Sequence, residues 1–227
     1  MTATTPSGRG APDDAVHRPE TLAVATDGYT DLPPGLLATL VTYLEMTAPP
    51  APGAASRPLP PGLALRRVER PDPAWYRILY DRIGEDLLWF SRRAISPAEL
   101  AAILHDPAVE VHALTRDGAE IGLLELDRRV AGEVEIVFFG LVPEAVGGGI
   151  GRFMMDRCLE LAWAGPVPPR RVWLHTCAFD HPAALSFYQR SGFRPYRLAL
   201  ELGPDPRLTG AMPRTAAPQI PLIEPDA

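Results

Sequence analysis

A run of glycines, Val146-Gly147-Gly148-Gly149-Ile150-Gly151-Arg152, follows one apolar segment and opens another with helical spacing. Consecutive glycines let a backbone approach a ligand closely and turn several N–H groups outward. The start of a helix adds positive partial charge, so such a loop suits a phosphate or pyrophosphate. It is not the dinucleotide-binding fingerprint, which would need a third glycine where Arg152 stands and an acid about 20 positions on. A plain strand-to-helix turn is the competing account of the same glycines. Titratable side chains lie nearby. Glu133 and Glu135 share one strand face by period-two alternation, and His175 and Cys177 share a face of a later strand. A polar rim on an exposed face would equally explain the glutamates. Asp180, His181 and Ser186 do not make a Ser-His-Asp nucleophile, because they crowd one helix start with no strained nucleophile turn. Asp180 is spaced as that helix's N-cap. Cys158, on an apolar helix face, reads as core.

Composition removes other chemistries. All 22 basic residues are Arg, and the 227-residue chain has neither Lys nor Asn. That excludes a Walker-type phosphate loop, a Schiff-base lysine and N-glycosylation. Two cysteines, Cys158 and Cys177, cannot build a disulfide framework or a Cys-rich zinc site. The first ten residues lack an apolar signal region, and no run of about 18 apolar residues occurs, so a cytoplasmic chain with no membrane span is expected. Net charge is −6 with no basic stripe, which gives no support to nucleic-acid binding.

The elements that must position these groups are bounded by proline. Of 27 prolines, 11 fall in residues 1–62 and six in 203–227. The expected organisation is a disordered tail over 1–20, an N-terminal extension over 21–47, a Pro-rich linker over 48–62, a main domain over 63–202 and a Pro-rich C-terminal tail over 203–227. Leu36, Leu37, Leu40, Val41 and Leu44 fit a helical stripe after Pro33-Pro34-Gly35, predicting a short helix in the extension. The main domain reads as strand 63–68, helix 73–83, helix 97–105 with a Ser96 cap and acidic Glu99, and strand 109–116. The turn Asp117-Gly118 follows, with strands 119–126 and 133–142, helix 149–163, strand 172–177, helix 181–191 closed by Gly192, and strand 193–202. Ile150, Met154, Cys158 and Leu161 form the apolar face of the 149–163 helix. This order gives an α/β (α+β) chain with a central mixed sheet and helices on both faces.

At this point the sequence resembles the GCN5-related N-acetyltransferase (GNAT) superfamily. The resemblance rests on Val146-x-x-Gly149-x-Gly151, where Val146 replaces a polar residue of the family's pyrophosphate loop. It rests equally on Asp180-His181-Pro182-Ala183-Ala184-Leu185-Ser186-Phe187-Tyr188 followed by Gly192-Phe193, at the correct separation. Gly28 to Pro34 and Val41 to Met46 resemble an N-terminal extension of bacterial members. The implied fold is a mostly antiparallel mixed sheet splayed between its fourth and fifth strands, counted from Leu63. The family's final strand is not evident after Leu202; Gln219 to Ile223 or the N-terminal segment could complete that edge. An edge left unprotected would favour a homodimer.

The resemblance implies transfer of an acetyl group from acetyl-CoA to a primary amine by direct attack, with general acid and base assistance and no metal. The backbone of Leu141 and Val142 would pair with the pantetheine arm. The N–H groups of Gly147, Gly148, Gly149, Ile150, Gly151 and Arg152 would hold the pyrophosphate, with His181 where the family often has Asn. Tyr188 would protonate the leaving thiolate, and Glu135 would deprotonate the acceptor, with His175 as the second candidate base. The acceptor would be a small-molecule or peptide amine, lined from the aromatic stretch Trp75 to Arg93. Two other readings stay open: a non-catalytic acyl-CoA-binding or regulatory module, and an interaction protein using its Pro-rich flanks.

Overall fold

The computed structural model describes residues 21–51, 61–165 and 167–225; the tail expected over 1–20 and most of the expected 48–62 linker lie outside them. A seven-stranded sheet runs in the order β2-β3-β4-β5-β6-β1-β7. The strands are β1 Leu36–Met46, β2 Leu63–Arg67, β3 Val109–Arg116, β4 Ala119–Asp127, β5 Glu133–Leu141, β6 Arg171–Cys177 and β7 Arg194–Pro204. All neighbours are antiparallel except β5 and β6. Helices α1 (Pro73–Gly84), α2 (Ser91–Ala94) and α3 (Pro97–Leu104) precede β3; α4 (Ile150–Trp163) and α5 (Ala184–Arg190) flank β6.

Residues 36–46 form a strand and not the expected short helix, and that strand lies inside the sheet, not outside it. It pairs with β6 over Val41–Met46 and with β7 over Leu36–Glu45. The physical reason is that a short apolar run fits both periods, and Thr39, Val41, Thr42 and Tyr43 favour a pleated surface. Pro33-Pro34-Gly35 is a turn and not a helix start: Leu36 N–H donates to Pro33 C=O, and Gly35 takes φ +83°. β1 therefore fills the place left open by the missing final strand, while Gln219 to Ile223 adds no strand.

The remaining elements follow their local chemistry. Asp72 caps α1 through two backbone N–H groups, and Ser96 and Glu99 form a full capping box on α3. Asp117 and Gly118 both take positive φ in the β3–β4 hairpin. Along α4, Ile150, Met154 and Cys158 are buried together with Phe153 and Leu159, and Leu161 only partly. Helix α5 begins at Ala184, three residues later than expected, and its cap Ala183 has no side-chain bond. The core closes around Tyr76, Leu79, Leu100, Leu123, Leu126, Met154, Leu174 and Phe193, which are almost completely buried.

Candidate active site at the split between two parallel strands

β5 and β6 are hydrogen-bonded only from Glu133–Arg171 to Glu135–Trp173. β5 continues to Leu141 and β6 to Cys177, so the two strands part beyond Glu135 and leave a gap. Val137 is the extra residue of a bulge in β5, since Ile136 faces Leu126 and Phe138 faces Glu125. Val142 N–H donates to Ile121 C=O, and Val142 C=O accepts from Ala145 N–H. By antiparallel alternation Leu141 then turns its N–H and C=O to the gap. Of the two backbone positions expected to pair with a pantetheine arm, Leu141 is free to do so. Val142 is not, because both of its groups are spent within the protein.

The glycine loop sits at the open end of this gap. Gly147, Gly148 and Gly149 all have positive φ, and a Cβ on any of them would meet nothing within 4 Å. Ile150 N–H turns back to Gly147 C=O, and Phe153 N–H to Gly149 C=O. The N–H groups of Gly147, Gly148, Gly149, Gly151 and Arg152 have no acceptor among the described residues. These five unpaired donors at a helix start form a cradle for an anion. A Cβ on Gly151 would lie 3.9 Å from Leu141 Cδ1 and 4.0 Å from Phe187 Cε2, so the loop, the end of β5 and α5 meet here. The Arg152 guanidinium is held by Asp156 Oδ1 at 2.8 Å, which leaves its backbone N–H as its offering.

The two faces of the gap carry different groups. On the α5 face, Phe139 stacks on Phe187 and meets Tyr188 edge-on. Tyr188 is 9% exposed, also touches Phe193, and its hydroxyl makes no hydrogen bond among the described residues. Burial, with Asp180 and Cys158 adding to it, pushes the phenol far above its ordinary value, so it stays protonated. Cys158 is itself fully buried, and its thiol is pushed up by the same cause. On the opposite face, Phe138 packs under Tyr80 and Trp89, with the Arg92 guanidinium 5.2 Å above its ring. Trp89 lies against Gly140, where a Cβ would come within 2.8 Å of its ring. Its Nε1 donates to Asp180 Oδ1 at 3.2 Å, so the indole bridges the gap from β5 to the loop after β6.

Glu135 stands where the strands part. It shares a face with Asp127, its partner on β4, and with Glu125 two residues earlier. Asp127 is held by Arg129, and Glu125 by Tyr76 and Arg92, but Glu135 accepts no hydrogen bond among the described residues. Desolvation, then Asp127 and Glu125, push its carboxyl up to about 7, against opposing pulls from Arg92 and Arg129. His175 Nδ1 lies 3.8 Å away, with the imidazole side chain 43% exposed against 24% for the glutamate. Glu133 instead pairs with Arg171 at 2.8 Å. Asp180 is not the cap of α5: it accepts from Thr176 Oγ1, Cys177 N–H and Trp89. His181 supplies that turn, its Nδ1 accepting from Ala183 N–H at 3.1 Å. The buried set Tyr76–Glu125–Arg92 and the Trp89 bridge carry no sequence motif. Only the clustering of aromatic and Arg residues in 75–93 hinted at them.

The model of the acetyltransferase (GNAT) family matches residues 73–193, which hold the loop, the gap and Tyr188 but not β1, β2 or β7. Similar solved structures include a GCN5-related N-acetyltransferase from Sphaerobacter thermophilus, at 17% identity over 74% of this chain and 52% of that one, with a TM-score of 0.54. A tandem GNAT protein from the clavulanic acid biosynthesis pathway is similar at 16% identity over 73% of this chain and 53% of that one, with a TM-score of 0.54. The chain thus spans about half the length of these two structures, and at such identities the likeness is one of fold. No curated protein matches the chain significantly in sequence.

Proposed function

Since the chain belongs to the GNAT family of acetyltransferases, we propose that it transfers an acetyl group from acetyl-CoA to a primary amine. The observation that carries this reading is the convergence on one gap of five unpaired backbone donors, a free strand edge at Leu141 and a half-buried Glu135 carboxyl that accepts no hydrogen bond among the described residues. Bound there, the coenzyme would supply an activated thioester.

The chain's own residues divide the remaining work. The N–H groups of Gly147 to Gly149, Gly151 and Arg152 neutralise a pyrophosphate through backbone dipoles, so the loss of a polar side chain at Val146 leaves the cradle intact. Leu141 pairs with an amide of the pantetheine arm as one more strand would. His181 contributes Nε2, since its Nδ1 is taken by Ala183. Glu135 takes the proton from the acceptor ammonium on the α1 face, and His175, more exposed and 3.8 Å away, passes it to solvent. Tyr188, neutral and without a partner, donates a hydrogen bond to the sulfur as negative charge develops on the other face. The sheet gap lets the reacting atoms meet between the two. The acceptor is a small-molecule or peptide amine.

A thiol-release assay with acetyl-CoA and a panel of small and peptide amines tests this. Amine-dependent thiol release that Glu135→Gln abolishes supports it. Coenzyme binding with no turnover on any amine would instead favour a non-catalytic acyl-CoA-binding module.

A further inference from the structure

β7 ends the sheet, and none of its backbone groups bonds to anything beyond β1 among the described residues. Such an edge is usually blunted by charge, proline or a bulge. Here Pro195 and Pro204 close its two ends, and the register shift beside Tyr43 lies at its beginning. Between them the strand runs regularly and is exposed. Leu198 is 64% exposed, Leu200 49%, and Leu40, opposite Leu200 on β1, 53%. Alternation sets Leu198, Leu200, Leu202 and Leu40 on one face, and Arg197, Ala199 and Glu201 on the other. Arg197 lies over the Tyr43 ring at 3.7 Å, and neither it nor Glu201 has an ion-pair partner among the described residues.

The order Arg197-Leu198-Ala199-Leu200-Glu201 is self-complementary about its centre. Two such strands, antiparallel about a two-fold axis at Ala199, set Leu198 against Leu200 and Arg197 against Glu201, each pair occurring twice. A centre at Leu198 would set Arg197 against Ala199 and Glu201 against Pro195. A centre at Leu200 would set Arg197 against Gly203 and Glu201 against Ala199. Of these three registers only the one at Ala199 joins opposite charges across the strands.

We propose that β7 pairs with β7 of a second copy of this chain, antiparallel and centred on Ala199, so that two sheets continue as one. Leu198 of each copy packs on Leu200 of the other across the new strand pair, and the unpaired backbone groups of both edges are satisfied. The proposal does not depend on the acetyl-transfer reading.

Sedimentation of the full chain at micromolar concentration tests it, with an expected mass of twice the single chain. Glu201→Arg sets Arg against Arg on both sides of the axis and is expected to weaken association about tenfold or more. The double variant Arg197→Glu/Glu201→Arg restores opposite charges and is expected to restore the dimer. Both positions are exposed, so the far-UV circular dichroism of each variant should stay that of the parent. Ala199→Cys places two thiols opposite one another, with Cα atoms about 4.5–5.5 Å apart, and is expected to give a disulfide-linked dimer on oxidation. Glu201→Cys, facing Arg197, should not. A parent chain that stays monomeric across the micromolar range would overturn the proposal. So would a dimer indifferent to Glu201→Arg, a double variant that remains monomeric, or a dimer that Ala199→Cys fails to cross-link.

Discussion

Replacing Glu135 with Gln should slow the protein and stabilise it at once, both effects being largest above about pH 7. A carboxyl moved from its ordinary 4.5 to about 7 binds its proton more tightly in the fold than in the unfolded chain. That difference is worth about 3 kcal/mol at most. The sign follows from linkage: the raised value contributes stability below about 4.5 that is lost as pH rises through about 7. At pH 8 the native state therefore carries a desolvated carboxylate facing Asp127 and Glu125. Gln has the same shape and no charge. In urea unfolding, Glu135→Gln should gain up to about 3 kcal/mol at pH 8 and nothing near pH 4. In the acetylation assay the same variant should lose about 10²–10⁴-fold in turnover. The parent's kcat/KM should climb with pH through about 7 as Glu135 deprotonates, and the variant should lack that limb. A variant as active as the parent with the same pH profile, or one less stable at pH 8, would refute the assignment of Glu135 as the base.

Three further variants have expected outcomes. Tyr188→Phe should lower kcat by about 10²–10⁴-fold while leaving coenzyme affinity unchanged, because the ring stays packed on Phe139 and Phe193 and only the donor is lost; calorimetry beside kinetics checks both halves. Arg92→Ala should cost about 3–5 kcal/mol in urea unfolding, since it leaves the buried Glu125 carboxylate without its cation. The same variant should shift the activity profile to higher pH, because Arg92 is one of the groups holding the Glu135 carboxyl down. His175→Gln should keep the fold, as the side chain is 43% exposed, and should lower steady-state turnover, since Glu135 loses the group that passes its proton to solvent.

Much of this architecture was legible because local chemistry and global fold agree. Ser96 and Glu99 spell a capping box, and Asp117-Gly118 spells a hairpin. Residues 36–46 were misread for a physical reason: Leu36, Leu37, Leu40 and Leu44 satisfy a helical stripe, and only the vacancy between β6 and β7 decides for a strand. The glycine loop was legible because unpaired N–H groups need residues that tolerate positive φ. Val142 was misplaced because which strand a backbone N–H faces depends on register, which sequence does not display. Asp180 and the Trp89 bridge were missed for a similar reason: residues 91 positions apart meet only once the gap exists. Asp180 does not cap α5 because it is committed to the end of β6, and His181 closes only the turn that precedes the helix.

The central claim is that the cradle of Gly147 to Arg152, at the mouth of the β5–β6 gap, holds acetyl-CoA. Calorimetric titration of acetyl-CoA into the parent and into Gly149→Glu tests it most directly. Gly149 has φ +82° and open space beside it, so a glutamate there brings a carboxylate onto the anion site without meeting the core. The parent should bind and the variant should bind at least about tenfold more weakly, with its helical circular dichroism retained. Equal affinity in the two proteins, or no binding by the parent, would contradict the account.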